Sequence, residues 1–342
     1  MADLDRLFEL FNWLGAVYRA DHFDLALFPP IARECYEILR STALSSHYAN
    51  IKREGEEKSY WVFIDNLDAT NISRPYRPAL LINSYDEWQE SWDKMVGSIN
   101  QRDRRMGPAN IDRVLYSAAM AFFAVIDLSQ RGSRKRNGTF LEWLLGSLLV
   151  AVSGFQLTRQ IPIPDSGEGS VPTDIVLDPG AGRYKLVFPV KTSTRERIGQ
   201  IFTHQRILDA EFPGKYRSAL LCVSETQLLK GANAVQETCV PQQVSFNEKY
   251  IAHIDALYYL DPPFAYINDS ITVPVRRLGD LFSTDLAAMS RALEEAATDE
   301  CGHMISTVDC SLPRGHNGDH LFLPPRGSPI ESETITAEDV GD

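Results

Sequence analysis

Arg136-Asn137-Gly138-Thr139-Phe140-Leu141-Glu142, Pro172-Thr173-Asp174-Ile175-Val176-Leu177 and Phe188-Pro189-Val190-Lys191-Thr192-Ser193-Thr194-Arg195-Glu196-Arg197 are three pieces of one stretch, residues 136–206. Together they predict helix, two strands, helix. Thr139 suits the N-cap of a helix over Phe140 to Ser153. Asp174 begins one β-run, and a second covers 185–190, with Pro179-Gly180 and Gly182 as the hairpin connection. Ser193-Thr194-Arg195-Glu196 fits a capping box for a helix reaching Ala210, with Ile198, Ile201, Phe202, Ile207 and Leu208 on its inner face. Strands at Ser218 to Val223 and Ala256 to Leu260 and a helix at Leu278 to Ala297 complete a small α/β core.

Working outward, residues 1 to 128 read as mostly helical. Leu4, Leu7, Phe8, Phe11, Leu14 and Val17 recur at three- and four-residue spacing, and Ile31, Cys35, Ile38 and Leu39 continue the pattern after Pro29-Pro30. Tyr60 to Ile64 reads as a strand and Ala79 to Ile82 as a possible second one. Helices are expected around Glu87 to Ile99 and, nearly all apolar and therefore buried, over Ile111 to Leu128.

The bulk numbers describe an ordinary globular chain: 342 residues, 44% hydrophobic and 23% charged, long enough for two or three units. The longest apolar run, Phe140 to Phe155, contains Glu142, Gly146, Ser147 and Ser153 and is too short to span a bilayer. The first residues lack a basic segment leading into an apolar one, so the protein is read as cytoplasmic. Cys35, Cys222 and Cys239 look like reduced packing residues. A net charge of −12 argues against a generally basic surface, yet residues 131–206 hold eleven Lys/Arg against six Asp/Glu. Positive charge gathers where Glu142, Asp174 and Lys191 lie.

Those three residue types carry a definite chemistry. Phosphodiester hydrolysis needs a cation on the scissile phosphate and a water held in line with the leaving oxygen. Mg²⁺ prefers carboxylate oxygens, here Asp174 and Glu142, and a nearby Lys191 can orient water and offset charge on phosphorus. The hairpin would bring Asp174 and Lys191 to the same end of a sheet, while Glu142 projects from the preceding helix. Taken singly, Asp174 is a turn residue, Lys191 a solvated strand end, and Glu142 a partner for some Arg; Asp178 is a weaker candidate ligand or part of the turn. Glu196 is assigned to the capping box. Arg195, Arg197 and Gln200 suit phosphate or base-edge contacts or plain helix surface, and the basic run with Arg134, Lys135 and Arg136 suits backbone phosphate.

Over about residues 130–225 this arrangement resembles the PD-(D/E)XK nuclease superfamily, and within it the type II restriction endonucleases. The resemblance is carried by Gly138 to Glu142, Pro172-Thr173-Asp174, and Lys-Thr-Ser-Thr-Arg-Glu-Arg at 191–197. It implies an α/β fold with a restriction-endonuclease-like core of mixed sheet flanked by helices. It also implies Mg²⁺-dependent cleavage of double-stranded DNA, a homodimer that cuts both strands, and a cognate DNA methyltransferase. Thr192 and Ser193 join the expected DNA contacts. The family carries Asp or Glu two residues before the Lys, where this chain has Pro189. Glu142 is the expected substitute, with the Val190 backbone carbonyl as a further oxygen. Two alternatives stay open: a superfamily nuclease of repair or phage defence, and a non-catalytic zinc-containing DNA-binding protein.

Cys301, Cys310, His316 and His320 follow the spacing C-x8-C-x5-H-x3-H, with His303 as a spare. Two thiolates and two imidazoles suit a structural tetrahedral Zn²⁺, and the string resembles a small zinc-binding appendix of bacterial and phage proteins. The expected organisation is therefore a helical region at 1–128 for DNA grip or dimerisation, a nuclease core at 129–298, a zinc segment at 299–322, and an acidic disordered tail at 323–342.

Overall fold

The computed structural model describes residues 4–100, 106–129, 135–163, 169–181, 183–229, 234–268, 271–289, 304–305 and 308–309. Two helices, α1 (Leu4–Arg19) and α2 (Phe28–Thr42), lead into a hairpin of β1 (Ala43–Arg53) and β2 (Glu56–Asp65). Helices α3 (Tyr85–Asn100), α4 (Pro108–Leu128) and α5 (Lys135–Ser153) follow. The chain then forms β3 (Gln156–Pro162), β4 (Ser170–Asp178), β5 (Lys185–Phe188), β6 (Val190–Lys191), α6 (Gly199–Glu211) and β7 (Tyr216–Ser224). A small hairpin of β8 (Thr226–Leu228) and β9 (Val235–Glu237) precedes α7 (Pro241–Tyr250), β10 (Ala256–Asp261), α8 (Phe264–Asn268), β11 (Val275–Arg277) and a helical turn α9 (Leu278–Asp280).

The central sheet is mixed. Its order is β11-β10-β7-β5-β4-β3, with β6 paired to β7 beyond the end of β5. β3, β4 and β5 run antiparallel, whereas β5, β6, β10 and β11 join through parallel pairings. Strands buried on both faces need continuous apolar runs, and Ala219 to Val223 and Ala256 to Leu260 supply them. One face carries α4 and α5, the other α6 and α7.

α4 explains the first face. Pro108 opens it directly after Gly107, where a missing N–H is tolerated, and its buried residues run all round the helix. Phe122 stacks on Phe140 of α5 with centroids 4.2 Å apart, and each such fully buried ring contributes about 2 kcal/mol. A single apolar cluster runs from Leu7 to Met289 through α1, α4, α5 and the sheet. α1 meets α5 closely: a Cβ on Gly15 would collide with the Trp143 ring, and one on Gly146 with the Tyr18 hydroxyl.

Several boundaries differ from the sequence reading. α5 begins at Lys135, a turn before Thr139, so Thr139 is inside the helix and not its cap. Asp174 lies in mid-strand of β4 because pairing with β3 extends back to Ser170. Thr194 makes no capping bond; a 3₁₀ turn at Arg195–Ile198 comes first and α6 starts at Gly199. Ala79 to Ile82 is no strand, and its backbone closes turns through Arg77 and Pro78. The strand expected at Tyr60 pairs with β1, a polar run that no apolar alternation announces.

Asp112 on α4 is buried; one carboxyl oxygen accepts the Gly279 N–H at 2.7 Å and the other has no partner among the described residues. Burial pushes it up to about 7, against the opposing pull of the Gly279 bond and Arg277. With the folded value above the ordinary 3.8, this contribution is complete at low pH and disappears as pH rises through about 7. Between pH 6 and 8 the wild type is expected to lose about 1 kcal/mol more stability than Asp112→Asn, measured by urea unfolding at the two pH values.

Candidate active site

Where β5 gives way to β6, the strand leaves its antiparallel neighbour. The β4–β5 ladder ends at Ile175–Phe188, Pro189 interrupts, and β6 pairs with Leu221 and Cys222 of β7. The Val190 N–H, released from the β4 ladder, donates to Asp174 Oδ2 at 2.7 Å. Lys191 Nζ donates to the same oxygen at 2.7 Å, and both side chains are partly exposed. Asp174 alternates with Val176, which packs with Leu208 of α6; Lys191 is in register with Cys222, which packs with Phe202 of α6. Acid and ammonium therefore share the α6 side of the sheet. Opposite Asp174, the β3–β4 register shifts between Thr158 and Gln160, the position of Arg159.

Glu142 joins them from α5. It lines the same cleft, of about 1030 Å³, as Asp174, Val190 and Lys191. Its carboxyl is pushed up to about 7, first by burial and next by the Asp174 charge, with Arg159 and Lys191 pulling it down. Arg159 in turn donates to the Tyr18 carbonyl at 2.6 Å and to Asp21 at 3.0 Å, with its guanidinium over the Tyr18 ring. The helix–helix contact through Gly15 and Gly146 thus fixes the turn of α5 that presents Glu142.

Of the expected DNA contacts, Lys135, Thr192, Ser193, Arg195, Arg197 and Gln200 line the cleft. Arg136 is not among the lining residues; one step round α5 from Lys135, its guanidinium lies over the Phe8 ring at 4.3 Å. Arg134 lies outside the described residues. Asp178 pairs with Lys185 at 2.7 Å and accepts the Gly180 N–H, a turn role. The cleft wall holds Arg74, Lys135, Lys191, Arg195 and Arg197 against Asp127, Glu142 and Asp174.

Three contributors, Asp127, His204 and Glu225, were not expected from the sequence. Asp127 clamps Arg74 through two side-chain bonds, at 2.8 and 3.0 Å, and a backbone bond, and takes a further one from Asn137. His204 on α6 is pushed below its ordinary value by burial and by Lys191, partly offset by Asp174, so it lies within electrostatic reach of both. Glu225, fully buried, bonds the segment that follows Lys191. The one signal for Glu225 is an acid placed directly after the apolar run of β7, at the carboxyl end of a parallel strand.

A divalent cation would find two carboxylates here. Asp174 Oδ1 and both oxygens of Glu142 accept no hydrogen bond among the described residues, a donor set compatible with Mg²⁺, which keeps waters and substrate oxygens as further ligands. Among the described residues no three His, Cys, Asp or Glu side chains gather as a fuller metal group. Cys301, Cys310, His316 and His320 lie outside them. No helix among the described residues is long and apolar enough to cross a membrane.

In structural comparison, the chain is similar to the type IIP restriction endonuclease Kpn2I, with a TM-score of 0.75 and 25% identity, covering 84% of this chain and 100% of that one. The fold is restriction-endonuclease-like. The restriction endonuclease PspGI in its substrate DNA complex also matches, with a TM-score of 0.39, 17% identity, and coverage of 61% of this chain and 92% of that one. No family model matches the chain, and no curated protein matches it.

Because the Glu142 value lies near 7, cation binding must expel its proton below that pH. Mn²⁺ affinity, followed by calorimetry without DNA, is expected to rise roughly tenfold from pH 6 to 8. Glu142→Gln is expected to flatten that dependence.

Proposed function

We propose that this chain is a type II-like restriction endonuclease that hydrolyses double-stranded DNA with Mg²⁺. The observation carrying this reading is the 2.7 Å Lys191–Asp174 pair in one cleft with Glu142, on a fold similar to that of Kpn2I. Asp174 and Glu142 would hold the cation. Bound there, it would polarise the scissile phosphate and acidify a water.

The protein's own groups account for the remaining work. Lys191 keeps two N–H donors beyond its bond to Asp174, suited to a phosphate oxygen and the attacking water. Arg195, Arg197 and Gln200, exposed along the cleft, suit phosphate or base-edge contacts. Arg74, braced by Asp127, and Lys135 extend the basic lining for backbone phosphate. A homodimer would place a second cleft on the complementary strand, and a cognate methyltransferase would protect host DNA.

Asp174→Asn and Lys191→Ala are each expected to lower the rate of Mg²⁺-dependent plasmid cleavage by about 100-fold or more while leaving duplex binding measurable. Gel digestion and fluorescence anisotropy check the two. Discrete bands fit a restriction enzyme; a smear or nicking fits a repair or defence nuclease. Among the described residues no third metal-ligating side chain joins Asp174 and Glu142, and Pro189 stands where the resemblance expects an acid, which favours one second reading, a non-catalytic DNA-binding protein. Duplex binding without any cleavage by the wild type would select it.

Cys301, Cys310, His316 and His320 are proposed to bind structural Zn²⁺. About one zinc per chain is expected in purified protein, by elemental analysis, and none in Cys310→Ser.

A further inference from the structure

β6 is only two residues long, yet the segment after it is held tightly, and a side chain does the holding. Up to Thr192 the support is backbone from β7. Leu221 N–H donates to the Pro189 carbonyl at 2.9 Å, Val190 and Lys191 register with Leu221 and Cys222, and Ser224 N–H reaches the Thr192 carbonyl at 3.4 Å. β7 then ends, and the Glu225 carboxylate takes over. It accepts the Thr194 N–H at 3.0 Å and the Arg195 N–H at 3.2 Å, together with the hydroxyls of Thr194 at 2.5 Å and Ser193 at 3.3 Å. From behind, Tyr259 donates its hydroxyl at 3.0 Å, Thr238 at 3.4 Å, and the Cys222 thiol at 3.7 Å. Glu225 has no exposure to solvent, and no Lys or Arg pairs with it among the described residues.

An unpaired carboxylate is costly to bury unless many donors converge on it. The donors in front all belong to residues 193–195, while Cys222, Thr238 and Tyr259 hold the carboxylate from behind, so its placement dictates the loop. The loop needs dictating: Arg195 sits at φ +49°, a left-handed conformation disfavoured for a side chain of its size. Its N–H is one of the groups Glu225 grips, and its exposed guanidinium lines the cleft beside Arg197 and Lys191.

We propose that Glu225 is the positioning residue for sequence discrimination. Its carboxylate extends the β7 ladder past the strand end and locks Thr194 and Arg195, so that the Arg195 and Arg197 guanidiniums meet DNA at a fixed offset from Lys191. The inference rests on the endonuclease reading. Glu225 is no catalytic residue, since it touches only the loop and its supports.

The test digests long DNA of known sequence, with Mg²⁺, using wild type and Glu225→Gln, and compares cleavage rates at the preferred sites and at all others. Glutamine keeps the shape but turns an amide N–H₂ towards a ring of donors. The preferred-to-other rate ratio is expected to fall about tenfold or more, the scale on which one well-placed base contact discriminates. A merely structural role would scale both rates alike, because fewer folded molecules cut every site less. Thr194→Val, which deletes one hydroxyl from the crown, is expected to shift the ratio the same way by a smaller factor, and decides the matter alone where Glu225→Gln does not fold. An unchanged ratio in the folded variants overturns the inference, as does a wild type that cuts without site preference. A wild type that cleaves nothing sinks the endonuclease reading and this inference with it.

Discussion

The shared use of one carboxylate oxygen organises this molecule. Asp174 Oδ2 receives both the Val190 N–H and the Lys191 ammonium, so a single atom sets the position of the strand and the position of its charged side chain. That sharing is possible because β5 and β6 are separate strands. Pro189, which has no N–H, ends the antiparallel ladder, and its carbonyl is taken by Leu221. A continuous ladder would have occupied the Val190 N–H with the β4 backbone. The proline thereby opens the fork in which Asp174 and Lys191 meet.

Like charge would scatter such a group without a scaffold. The Asp174 charge, after burial, disfavours ionisation of Glu142, and Arg159 and Lys191 oppose this. Glu142 stays beside Asp174 because α5 is not free to turn. Trp143, the next residue, fills the space over Gly15, and Tyr18 fills that over Gly146, one helical turn on. Arg159, stacked on Tyr18 and bonded to its carbonyl, ties α1 to the strand facing Asp174. The first helix of the chain thereby contributes to the electrostatics of a site assembled 120 residues later, without placing a side chain in the cleft lining.

How much of this was legible follows from where each signal resides. Asp174, Lys191 and Glu142 could be read because local pattern, a hairpin and an apolar helix, limits where such residues fall. Their gathering in one cleft needed only the turn after β4 and the return of the chain. Glu225 and Asp127 could not be read in this way. Their partners lie in other elements, Thr194 and Tyr259 for the one and Arg74 for the other, and a sequence records no partner at such distances. Ser193 to Glu196 misled because its composition fits a capping box, whereas the Thr194 hydroxyl had a stronger acceptor in the buried Glu225. β1 escaped notice because hairpin strands with polar faces lack the alternation that marks a half-buried strand.

The charge distribution follows from the same economy of placement. A chain of net charge −12 repels a polyanion at long range, so approach is productive only where the sign reverses locally. The cleft lining does reverse it, with five cationic side chains against three acidic ones, and two of those acids, Asp127 and Asp174, are engaged by Arg74 and Lys191. Engaged acids orient cations without cancelling their reach into the cleft, since a guanidinium bound on one edge still presents its other donors. On the proposed function, the acidic exterior would therefore act as a filter on orientation: a duplex is turned away from most of the surface and admitted along the one face where a phosphate meets Lys191, Arg195 and Arg197 together.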